Sequence, residues 1–251
     1  MPEPPRDPMR AAQANMRPPA LRRFYKRVEL VAADGGGFAV RLDGRGARTP
    51  GKRPLVAPTR AVAELIAAEW AGQGETIEPL SMPATRLANS AIDGVADTLG
   101  ATRATIAVYA AADLVCYRAE GPAALVALQA EAFDPALAWA RDRFGAHFVT
   151  TVGVAHVAQP EEALAAARAA VEAYADPFAV AALHVMTTLS GSLLLTLMTA
   201  EGALSPRAAW RAAHVDQDFQ ISRWGEDDEA RRRHAARWRD FEAAARTLVA
   251  T

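Results

Sequence analysis

The sequence predicts an α+β protein in which a small, β-rich α+β domain precedes a larger, all-helical domain arranged as an orthogonal bundle. Three observations carry this. Residues 24–57 alternate apolar and polar side chains between glycine-containing turns, the pattern of half-buried strands. Beyond Met82-Pro83 the periodicity becomes helical and is punctuated by cap and proline signals. Hydrophobic residues make up 51% of the 251 residues and charged ones 23%, an apolar content sufficient to offset ordering entropy.

Taken in order, residues 1–21 read as an extended arm. Pro2, Pro4, Pro5, Pro8, Pro18 and Pro19 punctuate it, no apolar run marks a secretory signal, and Glu3 and Asp7 argue against a transit peptide. Over 24–31, Phe24, Val28 and Leu30 would share one face of a strand and Tyr25, Arg27 and Glu29 the other. Asp34-Gly35-Gly36-Gly37 turns the chain. Phe38, Val40 and Leu42 then alternate with Arg41 and Asp43, and Asp43-Gly44 signals a tight hairpin. Residues 55–57 suit a short edge strand. Thr59 is a cap for a helix whose stripe is Val62, Leu65, Ile66 and Trp70, ended by Gly72 and Gly74. The first domain is thus placed at 22–80 and the second at 81–251. In the latter, helices are predicted over 87–99, 102–112, 123–133, 161–174 and 229–249, with a strand-like stretch at 148–152. Asp134-Pro135, Asp176-Pro177 and Ser205-Pro206 each offer a cap followed by proline at the first helical position, marking three more helix starts.

Several function classes are disfavoured. With 28 basic and 29 acidic residues the net charge is -1, so no global field draws the chain to nucleic acid or anionic lipid. The single cysteine, Cys116, rules out an internal disulfide and a cysteine-based zinc site and fits a reducing compartment such as the cytoplasm. Its apolar neighbours Leu114, Val115 and Tyr117 raise a thiol's pKa, the setting of a core residue rather than a nucleophile. His147, His156, His184, His214 and His234 form no i, i+4 pair beside a glutamate. Gly46-Ala47-Arg48-Thr49-Pro50-Gly51-Lys52 satisfies most of a phosphate-binding loop. Arg53 replaces the hydroxyl residue, though, and strand-like residues follow where a helix is needed. Residues 177–200 carry no charge and would cross a bilayer if wholly helical. Thr187, Ser190, Ser192 and Thr196, with no aromatic belt, suit the central helix of a bundle equally well.

The helix after Ser205-Pro206 places Trp210, Val215 and Phe219 on one side and Asp216, Asp218 and Gln220 on others. It ends at Trp224-Gly225, where glycine can take the left-handed cap conformation. Glu226, Asp227, Asp228 and Glu229 follow. They suit the first turn of a last helix whose Arg231, Arg232 and Arg233 are solvated, and they suit an acidic docking edge.

These residues form an ordered series with Arg23-Phe24-Tyr25-Lys26, Leu42-Asp43-Gly44-Arg45, Thr49-Pro50, Glu69-Trp70 with Gln73, Met82-Pro83 with Thr85, Asp113 with Cys116-Tyr117-Arg118, Gln129 with Asp134-Pro135, and Phe219-Gln220 with Trp224-Gly225. The series resembles the assembly chaperones that hold the alpha subunit of the F-type ATP synthase head before it joins the beta subunit. The resemblance covers nearly everything after residue 21. It implies a protein that is no enzyme, needs no cofactor or ATP, and is monomeric. Its partner would be the unassembled alpha subunit, in the bacterial cytoplasm or, in a eukaryote, the mitochondrial matrix. Client-binding candidates are then Trp70, Asp216, Asp218, Phe219, Gln220, Trp224 and Gly225. The chain departs from the family at Asp216-Gln217-Asp218, where relatives often have two consecutive glutamates, and in turning to arginines after the acids that follow Gly225. The competing enzyme reading is a nucleotide hydrolase using residues 46–52.

Overall fold

A computed structural model describes residues 21–251, so the arm expected at the N-terminus lies outside the described residues except for Leu21. Strands β1 (Val28–Ala32), β2 (Phe38–Leu42), β3 (Arg45–Gly46) and β4 (Val56–Ala57) form one antiparallel sheet. β2 is at its centre, with Leu30 opposite Val40 and Ala39 opposite Val56. Asp43 and Gly44 both take positive φ, 49° and 79°, in the two-residue turn from β2 to β3, the conformation that matches strand twist. The Asp43 carboxylate accepts the N–H groups of Lys26 (3.1 Å) and Arg27 (2.8 Å), and those bonds hold its pKa below the ordinary value.

Here the expected faces reverse. Tyr25 is 4% exposed and Phe24 is 64% exposed, because regular pairing begins only at Val28 and the chain bends at Lys26, where Asp43 grips it. Helix α1 (Arg60–Ala71) starts at Thr59, whose Oγ1 accepts from Val62 N at 3.2 Å, and buries Val62, Ala63 and Ile66.

The rest is helical: α2 (Pro83–Asp93), α3 (Leu99–Val108), α4 (Ala123–Phe144), α5 (Glu161–Glu172), α6 (Pro177–Ser190), α7 (Leu193–Ala200), α8 (Pro206–Ala213), α9 (Val215–Trp224) and α10 (Asp228–Ala250). A two-stranded parallel ladder joins β5 (Tyr117–Arg118) to β6 (Thr151–Val152). α6 is the hub, packed on α2, α3, α7 and α10. The uncharged segment 177–200 is two buried helices, capped by Asp176 and Ser192 and broken at Gly191 (φ 70°). At 14 and 8 residues, neither approaches the roughly 20 needed to span a bilayer. Leu99–Cys116 has the length and apolarity of a span, but its α-helix stops at Val108 and gives way to two 3₁₀ turns.

One buried cluster runs from Val40, Leu55 and Ile66 at the sheet to Phe133, Leu183 and Phe241 among the helices. α10 also returns to the first helices: Thr59, the cap of α1, donates to the Ala250 carbonyl at 2.6 Å, and Arg86 of α2 pairs with Asp240.

Three expectations about helix ends are corrected. Asp134-Pro135 starts no helix; α4 runs through it, and the Asp134 carboxylate is used on Arg118. The helix expected to continue from Ser205-Pro206 to Trp224 is two helices, broken at a buried His214. The helix expected over 87–99 begins instead at Pro83 and ends at Asp93, because Glu69 supplies its N-terminal acceptor from outside.

Candidate client-binding surface

Most of the motif series forms joints between elements. Glu69, at the end of α1, accepts Ala84 N (2.6 Å), Thr85 N (2.7 Å) and Thr85 Oγ1 (2.7 Å), capping α2, whose own cap residue Met82 has no side-chain oxygen. Burial raises the Glu69 pKa, opposed by those hydrogen bonds. Gln73 accepts from Glu78 N at 2.7 Å and donates to Ser81 Oγ at 3.1 Å, which fixes the loop that follows. Trp70 belongs to the same joint: it is half-buried, its ring lies edge-on to Tyr25 at 5.5 Å, and its carbonyl accepts the Tyr25 hydroxyl at 2.6 Å.

Asp113 is wholly buried. Its carboxylate accepts Val115 N (3.2 Å) and Leu194 N (3.0 Å), tying a 3₁₀ turn to the start of α7. Desolvation raises its pKa to about 6, against the pull of those bonds and of Ser192. Cys116 beside it is buried, and its thiol is pushed up to about 12 by burial and then by the Asp113 charge. A buried thiol with a raised pKa is the setting of a core residue rather than of a nucleophile.

A third joint joins motif residues far apart in sequence. Buried Gln129 on α4 donates to Asp216 Oδ1 at 2.7 Å and accepts Ala119 N at 2.7 Å. Arg118 donates to the Gln129 carbonyl (3.0 Å) and the Asp134 carboxylate (2.7 Å), and its guanidinium lies 5.1 Å from the centre of the Phe133 ring. Asp216 is therefore exposed but engaged, anchoring α9 to α4.

α9 needs that anchor, because it contains no buried residue. Its apolar side chains Val215, Phe219 and Ile221 are half-buried, and Trp224 is 83% exposed. Between α9, α4, α7 and α8 lies an apolar groove of about 530 Å³, with Leu128, Pro135, Met198, Leu204, Val215 and Phe219 on its walls and Glu131, Asp218 and Arg211 at its polar positions. Arg223 lies 5.3 Å from the centre of the Phe219 ring. Gln220 is exposed on the same helix. Gly225 ends it with φ 77° and ψ 177°, a positive-φ extended conformation open essentially only to glycine, rather than the left-handed helical cap expected. Asp227 then caps α10 through Glu229 N and Ala230 N, so part of the acid run is spent on a helix start.

The α8–α9 break is held by an aromatic cluster that sequence reasoning missed. His214 lies over Trp210 (3.9 Å), and its Nδ1 is 2.8 Å from the Trp210 carbonyl. Trp210 Nε1 donates to His234 Nε2 at 2.9 Å, and Trp238 and Phe241 complete the cluster. Burial lowers the His214 pKa, favouring the neutral ring. Two histidine and tryptophan pairs at helical spacing, Trp210 with His214 and His234 with Trp238, were the available signal.

The loop at residues 46–52 has no phosphate cradle. Gly51 N (2.8 Å) and Thr49 Oγ1 (2.7 Å) both donate to Asp93, and β4, not a helix, follows. Among the described residues no group of three or more His, Cys, Asp or Glu side chains is placed to hold a metal.

The family model described as "ATP12 chaperone protein" matches residues 22–141. The crystal structure of Atp12 from Paracoccus denitrificans is 41% identical, covers 91% of this chain and 97% of its own, and superposes with a TM-score of 0.82. The chain belongs to the ATP12 chaperone family. The Atu1473 protein of Agrobacterium tumefaciens matches at 45% identity over 98% of this chain and 92% of its own, with a TM-score of 0.89. As a member of the ATP12 family the protein is a chaperone of ATP synthase assembly, the family that its motif series resembles. Of the seven candidate residues, the geometry groups Asp216, Asp218, Phe219, Gln220, Trp224 and Gly225 on α9 and its end, whereas Trp70 lies apart from them against Tyr25.

Proposed function

We propose that this ATP12 chaperone binds the unassembled alpha subunit of the F-type ATP synthase head and protects it until the beta subunit takes its place, with no ATP hydrolysis and no catalytic step. The observation that supports this best is α9: a helix with no buried residue, an exposed tryptophan at its tip and an apolar groove beneath it with acids at the rim. Soluble proteins rarely leave such surface uncovered unless a partner uses it. An apolar centre with a charged rim also gives selectivity without irreversible grip, since a larger final interface can displace it. The choice of the alpha subunit rests on the motif resemblance. Independence from ATP is supported by the loop at 46–52, whose donors are taken by Asp93. We read the chain as a monomer in the cytoplasm, or the matrix in a eukaryote, with 22–80 and 81–251 as two domains sharing a core.

Size-exclusion chromatography of the chain with alpha or with beta subunit, each freshly diluted from denaturant, tests the reading. A complex with alpha alone is expected. Binding to beta alone, or to neither, refutes it. Magnesium-stimulated phosphate release abolished by Lys52→Ala would refute the non-enzymatic part.

A further inference from the structure

We propose that the cleft between α3 and α5 is a second docking surface of this chaperone, taking an acidic amphipathic helix of the captured client whose carboxylates pair with Arg103 and Arg168. The inference rests on the client reading above and assigns it a surface away from α9.

Three observations point here. Leu99–Cys116 is as apolar as a membrane span, yet only 28% of it is buried, and Val108 is 69% exposed. An apolar segment left this bare is unusual in a monomer. Along α3 and the turn after it, Gly100, Ala104, Ala107 and Ala111 fall at spacings of four, three and four and line one wall of a cleft of about 540 Å³. Such small side chains at helical spacing let a second helix approach closely, as in helix-in-groove recognition. Two arginines also line that cleft, Arg103 from α3 and Arg168 from α5, against one acid, Glu172 of α5. Arg103 makes no side-chain hydrogen bond or salt bridge among the described residues, and its Nε is shut from solvent without a partner. Arg168 has only Glu161, at 3.9 Å. A shielded donor with no acceptor is unfavourable until a carboxylate supplies one.

Charge therefore selects the occupant. A helix with an apolar stripe flanked by Asp or Glu matches both the small-residue wall and the arginines.

The test uses the full chain with alpha subunit diluted from denaturant. A photo-crosslinking residue is placed at exposed Ala104 in one variant and at Trp224 in another, and capture is titrated for Arg168→Glu and for Arg103→Glu with Arg168→Glu. Arg168 is exposed, so its reversal should leave the melting temperature unchanged even if Arg103→Glu does not. The expected result is a crosslink from position 104 to an Asp- or Glu-containing alpha-subunit peptide, and capture weakened about tenfold or more by the double reversal and measurably by Arg168→Glu alone. Crosslinking from 224 but not 104, with capture unaffected by the reversals, overturns this inference and leaves the client reading standing. No complex at all removes both. Crosslinks from 104 to a second copy of this chain, or arginine-dependent sedimentation with phosphatidylglycerol vesicles without client dependence, also overturn it.

Discussion

Gln129→Glu tests the joint that holds α9 against α4 while changing almost no volume. The side chain is 2% exposed, donates to Asp216 Oδ1 at 2.7 Å and accepts Ala119 N at 2.7 Å. Glutamate keeps the acceptor for Ala119 but turns the donor into a second acceptor facing a carboxylate. The lost hydrogen bond to a charged group is worth about 1.5–3 kcal/mol. Two like charges about 4 Å apart at an effective dielectric of roughly 20 repel by about 4 kcal/mol. The Arg118 guanidinium, 2.7 Å from Asp134 and 3.0 Å from the Gln129 carbonyl, offsets part of this, as does proton uptake by the new acid pair. The expected net loss is about 3–5 kcal/mol at neutral pH, which for a chain of this size lowers the melting temperature by about 10 °C. Urea titrations and thermal melts followed by circular dichroism read it directly. Adding Asp216→Asn supplies an amide donor to the new carboxylate and should restore at least half of the loss, and acidifying should narrow the gap between variant and parent. A loss under about 1 kcal/mol, or no rescue by Asp216→Asn, would show that this contact does not position α9.

The other expectations concern the buried acids and the groove. Asp113 has its pKa raised from 3.8 to about 6, so the folded state binds more protons between those values and this group's contribution to stability falls as pH rises through that window, by about 3 kcal/mol in all; Asp113→Asn should flatten that fall, while lowering stability near pH 4 through loss of one backbone acceptor. Glu69→Ala removes the acceptor of two α2 amides and the Thr85 hydroxyl, and equilibrium unfolding should show a loss of about 2–4 kcal/mol, partly recovered in Glu69→Gln. Trp224→Ala and Asp218→Lys, both at exposed positions, should leave stability within about 0.5 kcal/mol yet weaken alpha-subunit capture in the chromatographic assay. Asp216→Lys should weaken capture and also cost about 2 kcal/mol of stability, because it breaks the bond to Gln129.

What the sequence disclosed was whatever the backbone decides locally. Thr59, Asp176 and Ser205 each accept a backbone N–H two or three residues on, so a cap followed by a helical stripe was legible. So was the Asp43-Gly44 hairpin, whose two positive φ angles suit those residues. Asp134-Pro135 has the same local chemistry as Asp176-Pro177 and opposite use: its carboxylate goes to Arg118 and α4 continues. Nothing within five residues distinguishes a cap from a tertiary ion pair. The reversal of Phe24 and Tyr25 has a similar origin, since the bend that sets their faces is held by Asp43, far along the chain.

The candidate site divides along the same line. Trp224, Phe219 and Asp218 were legible as candidates because aromatics and acids share one helical stretch, but the sequence left core and surface open for Trp224, whose 83% exposure is set by how the last helices pack. The roles of Gln129, Glu69, Asp113 and His234 were not legible, because each acts through a partner between 15 and 87 residues away. Yet these partnerships make the surface possible. A helix with no buried residue cannot hold its place by packing alone, so the position of α9 depends on the Gln129–Asp216 bond at its start and on the Trp210, His214 and His234 cluster at the break before it. An apolar groove that must stay open to a client has to be braced from behind by polar bonds, because filling it with side chains would close it.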